Sequence, residues 1–381
     1  MHIQIFESGP KFLTKVRISG GGRCNVTHDC FEPDRFSARY PRGAKALIGA
    51  FHRFQARDTV DWFASRGVRL KTERDGRMFP VTDSSETIVS CLVDAAQEAG
   101  VGLHAARGVR DIEIISGGGF RLTLSDETAE DFDAVCLATG GCRSSGMQKL
   151  ISSLGHGLVE PVPSLFTFRV DAEWLKPLPG ISVPDAEISV PECGLTERGP
   201  LLVTHGGLSG PSVLRLSAWG ARGLHGLDYQ FVLQVRWVYG LNEDRALHEI
   251  SRQREFHPSR GVAKNPAVSI PARLWEQLVL NAGISESTRW ASLTKSGARA
   301  LAKALACTEL QVHGKSLNKE EFVTCGGIPL KEVQFKTMES RICPGLFFAG
   351  EILDIDGITG GFNFQSAWTT GWIAGQSMAG P

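Results

Sequence analysis

The 381-residue chain has no excess of charge, because Lys+Arg and Asp+Glu are both 41. Phosphate recognition usually shows as a basic excess or a basic stripe, so this balance argues against a nucleic-acid partner. Paired cysteines are missing as well. The nine present form an odd, scattered set with no Cys-x-x-Cys spacing, which suits reduced thiols in a cytoplasmic protein. No apolar run approaches the roughly 20 residues of a membrane span, so no membrane partner is expected. The opening Met1 to Glu7 has no basic region ahead of an apolar stretch and does not read as a signal peptide. The sequon Asn25-Val26-Thr27 then carries no meaning. There is no internal repeat, no low-complexity tract, no Walker loop and no Gly-x-Gly-x-x-Gly turn.

What is present is ordinary globular material, 42% hydrophobic and 22% charged. At about 150 residues per domain the length suggests two or three domains, with core enough to need no disulfide or metal staple. Ile3 to Phe6 looks like a short buried strand that ends in the acid Glu7. Helices are expected at Ala44–Phe54, Asp58–Arg66 and, most clearly, Ser84–Ala99, where Ser85 can cap and Gly100 stops the run. Strands follow at Val101–His104, Val109–Ile115, Phe120–Leu124 and Phe132–Ala138. The last runs into Thr139-Gly140-Gly141, and the alternation predicts an α/β unit with a parallel sheet.

From about Pro161 the texture changes. Prolines punctuate short alternating segments such as Leu165–Val170, Glu187–Val190 and Phe231–Trp237, which predicts a small barrel or sandwich. Asn242 to Cys307 reads as mostly helical, with Pro271–Asn281 and Gly297–Ala306 the best stretches. After Leu310 strands and glycines return. The expected organisation is a domain over 1–160, an inserted β-rich domain over 161–241, a helical subdomain over 242–310, and a return to the first domain over 311–381.

Three blocks could carry chemistry. An acid closing the second strand of a dinucleotide-binding βαβ unit bonds the adenosine ribose, and Glu7 has that place, although any strand can end in a glutamate. In Ile18 to Thr27, the run Gly20-Gly21-Gly22 lets backbone N–H groups approach a phosphate or a flat ring. Arg23, Cys24, Asn25 and Thr27 lie beside it, whereas a bare triglycine would read as a surface loop. The strongest block is the C-terminal one. An apolar strand, Leu346 to Ala349, delivers Gly350-Glu351 to its carboxyl end, where ligands bind in open α/β sheets. Asp354 and Asp356 follow, and then Gly360-Gly361-Phe362-Asn363 opens an amphipathic helix whose N–H groups and positive dipole end suit an anionic ring. A buried strand and helix would explain the apolar residues, but not three acids and four glycines around one turn.

Sharper alternatives are weaker. Gly207-x-Ser209-x-Pro211 lacks the second glycine of a nucleophile elbow. Cys24, His28 and Cys30 have no evident fourth zinc ligand, and Asp354-x-Asp356-Gly357 is too short for a calcium loop, so no metal is expected. Cys24 and His205 suit a buried thiol and a satisfied imidazole as well as any role beside a cofactor.

The blocks Ile18–Thr27, Leu137–Gly141, Thr204–Pro211 and Thr324–Gly375 resemble the aminoacetone oxidase-like, or BaiN-like, family of bacterial FAD-dependent flavoproteins. That family lies within the wider class of glutathione-reductase-like flavoenzymes. The resemblance implies an α/β, Rossmann-like FAD-binding domain with inserted β-barrel-like and helical subdomains, and hydride or electron transfer through FAD on a small organic substrate. Amine oxidation and C=C reduction are both within that range, and NAD(P)H is a candidate electron donor. It also implies site roles. Glu7 would hold the adenosine ribose, and Val109 would touch the adenine through its backbone. Lys15 and Gly21, Gly22, Arg23, Cys24 and Asn25 would line the flavin or pyrophosphate, with Thr139 and Gly140 close by. Gly350 and Glu351 would sit at the ribityl chain, while Asp356, Gly360, Gly361, Phe362 and Asn363 would approach the isoalloxazine. No catalytic residue is implied.

The family opens with a strand, a Gly-x-Gly-x-x-Gly turn and a helix ahead of the acid that matches Glu7. Only six residues precede Glu7 here, so an N-terminally truncated chain is expected. Two rivals accompany that reading: a cofactor-free fragment without activity, and an RNA-modifying flavoprotein, against which the neutral charge counts.

Overall fold

The computed structural model describes residues 2–316 and 323–380. The chain divides into two compact units, Met1–Ser164 with Asn318–Pro381, and Leu165–Leu317.

In the first unit the expected parallel pairing appears in two separate pieces. Strand Gln4–Phe6 runs parallel to Gly102–His104, and Val135–Leu137 runs parallel to Leu346–Phe348. Gln4–Phe6 is not the buried strand that its sequence suggests. Among the described residues it pairs on one edge only, which leaves Ile3 44% and Ile5 43% exposed. Phe132 to Ala138 is also not one strand. Ala129–Phe132 closes an antiparallel meander with Val109–Ile114 and Phe120–Leu124. Val135–Leu137 joins the parallel pair instead, so the backbone changes sheets around Asp133. An antiparallel pair of Val159–Ser164 with Val323–Gly327 completes the features that bear on the site.

Helices sit close to their sequence positions, at Ala44–Phe51, Ala56–Ala64 and Ser85–Glu98. The cap of the last is Ser84, not Ser85. Ser84 Oγ accepts from Glu86 N–H at 3.3 Å, while Ser85 Oγ donates to Arg17 O at 2.7 Å and fastens this helix to the Thr14–Gly22 helix. Sequence periodicity gave no sign of Thr14–Gly22, which is too short and too glycine-rich to show an apolar stripe. Helix Phe362–Met378 buries Phe362, Gln365, Ser366, Thr369, Thr370, Ile373 and Ala374 at i, i+3, i+4 spacing. Its buried polar groups are satisfied. Gln365 accepts from Thr27 and Thr59 hydroxyls at 2.7 and 2.9 Å and donates to Thr369 at 3.1 Å.

The second unit is a closed six-stranded barrel, in the order Thr167–Val170, Gly207–Ser209, Leu195–Thr204, Ser182–Val190, Gln230–Arg236 and Thr308–Ser316. The last strand straddles the boundary expected at 310/311 between the helical subdomain and the returning domain. The barrel takes it because Gln230–Arg236 and Thr167–Val170 would otherwise keep open edges. Helices Glu243–Phe256, Ala272–Asn281 and Lys295–Ala306 share a core with it, centred on the fully buried Trp237, Trp275 and Trp290. Trp237 Nε1–H donates to Thr308 Oγ1 at 2.8 Å.

Candidate functional site

The Thr14–Gly22 helix loses its right-handed geometry at the glycines. Ser19 is extended, and Gly20, Gly21 and Gly22 take φ of +58°, +68° and +82°. Three consecutive left-handed residues cost little only for glycine. The chain then folds back, with Cys24 N–H donating to Ser19 O at 3.0 Å. A side chain at Gly21 or Gly22 would meet no heavy atom within 4 Å, and both positions are exposed. The loop is therefore an open cradle of backbone. Its flanks are occupied. Arg23 donates to Glu73 at 2.7 Å, lies 3.6 Å from Asp83 and covers the Phe79 ring at 4.1 Å, and the bond to Glu73 raises its guanidinium pKa. Cys24 is fully buried, and burial pushes its thiol to about 12.

This loop packs on the C-terminal glycine turn. With its amide oriented to suit both neighbours, Asn25 accepts from Gly361 N–H at 2.9 Å and donates to Thr27 O at 3.1 Å. Trp368 Nε1–H donates to Val26 O at 3.0 Å. Gly361 has φ +91°, and a Cβ there would stand 2.5 Å from Thr27 O, so this glycine makes room for protein backbone. Gly360 lies beside His28, and Phe362 stacks on the His28 ring at 4.9 Å. Asn363 clamps the turn, accepting from Gly357 N–H at 2.8 Å and donating to Gly357 O at 2.9 Å. Tyr40 O–H donates to Phe362 O at 2.5 Å.

Asp356 is completely buried. Arg42 engages both of its oxygens, Nε at 2.5 Å, and Ser164 Oγ donates at 2.6 Å. Burial pushes the carboxyl above its ordinary range, against the pull of Arg42 and Ser164. A buried carboxylate requires such partners, yet Arg42 lies in a segment with no local pattern to mark it.

The parallel strands Val135–Leu137 and Leu346–Phe348 deliver their following residues to one end, with Ala349 N–H bonded to Leu137 O at 3.1 Å. Gly350 takes φ +75° and donates to Thr370 Oγ1 at 2.9 Å. Glu351 accepts from Thr324 N–H at 2.8 Å through one oxygen and pairs with Lys15 through the other. A Cβ at Gly140 would lie 3.8 Å from Lys15 Nζ and 3.9 Å from Glu351 Oε2, so Lys15, Gly140 and Glu351 face one another. Thr139 is adjacent in sequence, its Oγ1 3.7 Å from Met147 Sδ. Thr324 is a partner that the sequence reading placed in a matching block without a role.

Glu7 forms a separate group. Its N–H bonds His104 O and its carbonyl accepts from Arg107 N–H, both at 2.9 Å, while its carboxylate accepts from Gly9 N–H at 2.7 Å. A Cβ at Gly108 would lie 2.8 Å from Ser8 Cβ, so Val109 begins its strand beside the Glu7 turn. The Lys15 and triglycine groups are joined by the Thr14–Gly22 helix, and helix Phe362–Met378 packs on the Gly350–Ile352 turn that carries Glu351.

In the second unit, the Thr204–Pro211 block is explained by barrel closure. Side chains at Gly207 and Gly210 would stand 2.2 Å from Phe168 O and 2.8 Å from Pro200 O. Thr204 and His205 line an open hollow of about 540 Å³ with Lys176 and Arg273. Among the described residues, no three His, Cys, Asp or Glu side chains are placed to hold a metal ion, and no helix is long and apolar enough to cross a membrane.

The family model described as HI0933-like protein Rossmann domain matches residues 1–377. The chain is 30% identical to the ribosomal RNA dihydrouridine synthase of Escherichia coli, over 99% of this chain and 92% of that protein. It is 27% identical to the same-named protein of Haemophilus influenzae, with the same coverage. It is 25% identical to the 3-dehydro-bile acid delta(4,6)-reductase of Clostridium scindens, over 98% and 92%. These alignments lend no support to the expectation of a truncated chain. In fold it is similar to the 3-ketosteroid-Δ4-(5α)-dehydrogenase of Rhodococcus jostii RHA1, at TM-score 0.52 and 14% identity over 99% of this chain and 92% of that one. The 3-ketosteroid Δ1-dehydrogenase of Sterolibacterium denitrificans gives 0.51 and 11%, over 99% and 95%. The chain thus belongs to the HI0933-like family of FAD-binding, Rossmann-type flavoenzymes, and with it to the oxidoreductases.

Proposed function

We propose that this protein uses FAD to reduce a carbon–carbon double bond conjugated to a carbonyl. The observation that carries this reading is the reaction shared by the relatives. A dihydrouridine synthase and a delta(4,6)-reductase, aligned over 99% and 98% of this chain, both saturate a ring C=C. FAD supplies the hydride acceptor and donor for such chemistry.

The residues of the first unit suit that cofactor. The exposed left-handed backbone at Gly21 and Gly22 offers amide donors to a pyrophosphate, and Lys15, in the first turn of the same helix, adds a cation. Glu351, held by Thr324 N–H and Lys15, offers a carboxylate to ribityl hydroxyls, with Thr139, Gly140 and Gly350 leaving backbone close by. Glu7 would take the adenosine ribose and Val109 the adenine. Asn25, Asp356 and the Gly360–Asn363 turn would shape the ring site, Asp356 through Arg42. In this reading Arg23 and Cys24 support the loop, since one is held by Glu73 and the other is buried. NAD(P)H is the proposed electron donor.

The test has two stages. The cofactor is released by heat and identified by chromatography, with FAD expected; FMN as the sole flavin would remove the role of Glu7. The bound flavin is then reduced anaerobically with dithionite and mixed with a conjugated enone or with unmodified ribosomal RNA. Reoxidation by either acceptor is expected. Flavin that ignores both acceptors but is reduced by primary amines would replace this reading with amine oxidation.

A further inference from the structure

We infer that the helical part of the second unit is a docking face for the phosphate backbone of RNA. Helix Lys295–Ala306 carries Lys295, Arg299 and Lys303 four residues apart, all exposed, and has no acidic residue. The same helix buries Leu301, Ala302, Leu305 and Ala306. At 1.5 Å per residue the three cations form a ridge with steps of about 6 Å, comparable to the step between neighbouring phosphates along a strand.

The ridge continues past the helix start. The backbone of Arg260 accepts from Trp290 N–H at 2.9 Å, Gly261 bridges Arg289, and Arg254 reaches Ala291 O at 3.3 Å. Three more exposed arginines therefore gather at the turn that leads into Lys295. Beside them Phe256 is 64% exposed, a ring available for stacking on a base.

A solvated helix face would ordinarily mix signs, and the barrel of the same unit does. There Arg198, Arg215 and Arg236 are paired with Asp185, Glu197 and Glu187. Residues 254–303 instead hold eight Lys and Arg against three Glu and no Asp. Two of those glutamates, Glu276 and Glu286, are held by Lys264. Among the described residues, none of the six cations of the ridge has a carboxylate within ion-pair distance. The overall neutrality of the chain conceals this local excess, which assembles from segments up to about 50 residues apart.

RNA is favoured over an acidic protein because two relatives aligned over 99% of this chain are named for a ribosomal RNA product. The inference rests on the reductase reading for the chemistry done on that RNA, but its binding test needs no turnover. A fluorescently labelled, structured hairpin of unmodified ribosomal RNA would be titrated with the purified full chain over a series of salt concentrations. Lys295→Gln, Arg299→Gln and Lys303→Gln combined should weaken binding roughly tenfold or more and flatten the log–log salt slope by about two to three. Arg110→Gln, Arg121→Gln and Arg198→Gln remove equal charge at cations paired with Glu127, Asp131 and Asp185, and should leave affinity within about twofold. Circular dichroism checks that both variants fold. Three results overturn the inference: no binding by the wild type, equal weakening by both variants, or stronger binding to phosphatidylglycerol vesicles than to the hairpin. Each of these leaves reoxidation of the flavin by an enone untouched, so failure of the docking face and failure of the reductase reading are separable.

Discussion

Lys15 and Glu351 form an ion pair that closes one end of the two parallel strands through Gly140, with Thr324 N–H holding the other carboxylate oxygen. The lysine side chain is 53% exposed, so the pair itself adds little to stability. In the function proposed above, its value lies in presenting an oriented carboxylate to the cofactor.

Glu351→Gln should therefore separate binding from folding. The amide keeps an oxygen for Thr324 N–H but loses the charge that suits ribityl hydroxyls and Lys15. Losing one charge-assisted bond costs roughly 1.5–3 kcal/mol, about one to two decades of FAD affinity. Fluorescence quenching by FAD measures the loss, and a melting temperature near that of the wild type is expected. Unchanged affinity would exclude Glu351 from the cofactor site.

Cys24 takes a left-handed φ of +60° in the buried backbone just after the triglycine run, and burial pushes its thiol to about 12. A thiol of that kind stays protonated near neutral pH and should resist alkylation in the folded protein. Iodoacetamide labelling with peptide mass spectrometry, before and after denaturation, checks this. Modification of native Cys24 would mean that the triglycine loop opens.

Local pattern made much of this molecule legible. Ser85–Glu98 and Lys295–Ala306 show apolar spacing, Gly20–Gly22 shows a backbone that must leave right-handed space, and Glu351 shows an acid ending an apolar strand. Partners distant in sequence were not legible. Arg42 for Asp356, Thr324 for Glu351 and Gln365 for Thr27 are each fixed by packing between remote segments. The ridge from Arg254 to Lys303 was hidden for a similar reason: total charge averages over faces, whereas a ligand meets one face.

His28 gives a pH dependence whose sign follows from its surroundings. Burial, assisted by Arg39, lowers its pKa from 6.5, and Asp29 and Asp75 oppose the shift. The folded state thus prefers the neutral ring stacked on Phe362. Its contribution to stability is present above 6.5 and is lost as the pH falls through and below that value. Thermal melts at about pH 7.5 and about pH 5 should differ less in His28→Asn than in the wild type. An equal drop in both would place the acid sensitivity elsewhere.

Gly21 and Gly361 both take positive φ inside matching motifs, yet they call for opposite outcomes. The sequence reading sets Gly361 against the flavin ring, so that valine there would expel flavin from an intact fold. The structure directs its Cβ instead at Thr27 O, 2.5 Å away. Even Gly361→Ala should therefore disturb the contact between the triglycine loop and helix Phe362–Met378, adding a backbone clash to a left-handed cost of about 1–2 kcal/mol. A melting temperature lowered by several degrees is expected, with flavin lost along with the fold. Gly21→Ala pays only that left-handed cost, because its Cβ would meet nothing within 4 Å. The methyl group enters the open cradle, where a pyrophosphate or ring would have to approach the backbone. Gly21→Ala should thus melt only a few degrees below the wild type, less affected than Gly361→Ala, but bind FAD at least tenfold more weakly, roughly 1.4 kcal/mol. Differential scanning fluorimetry without cofactor and FAD titration on the same preparations distinguish the two. If Gly21→Ala keeps full affinity while Gly361→Ala loses flavin from a stably folded chain, the ligand lies against the Gly360–Asn363 turn, and the triglycine loop is only its scaffold.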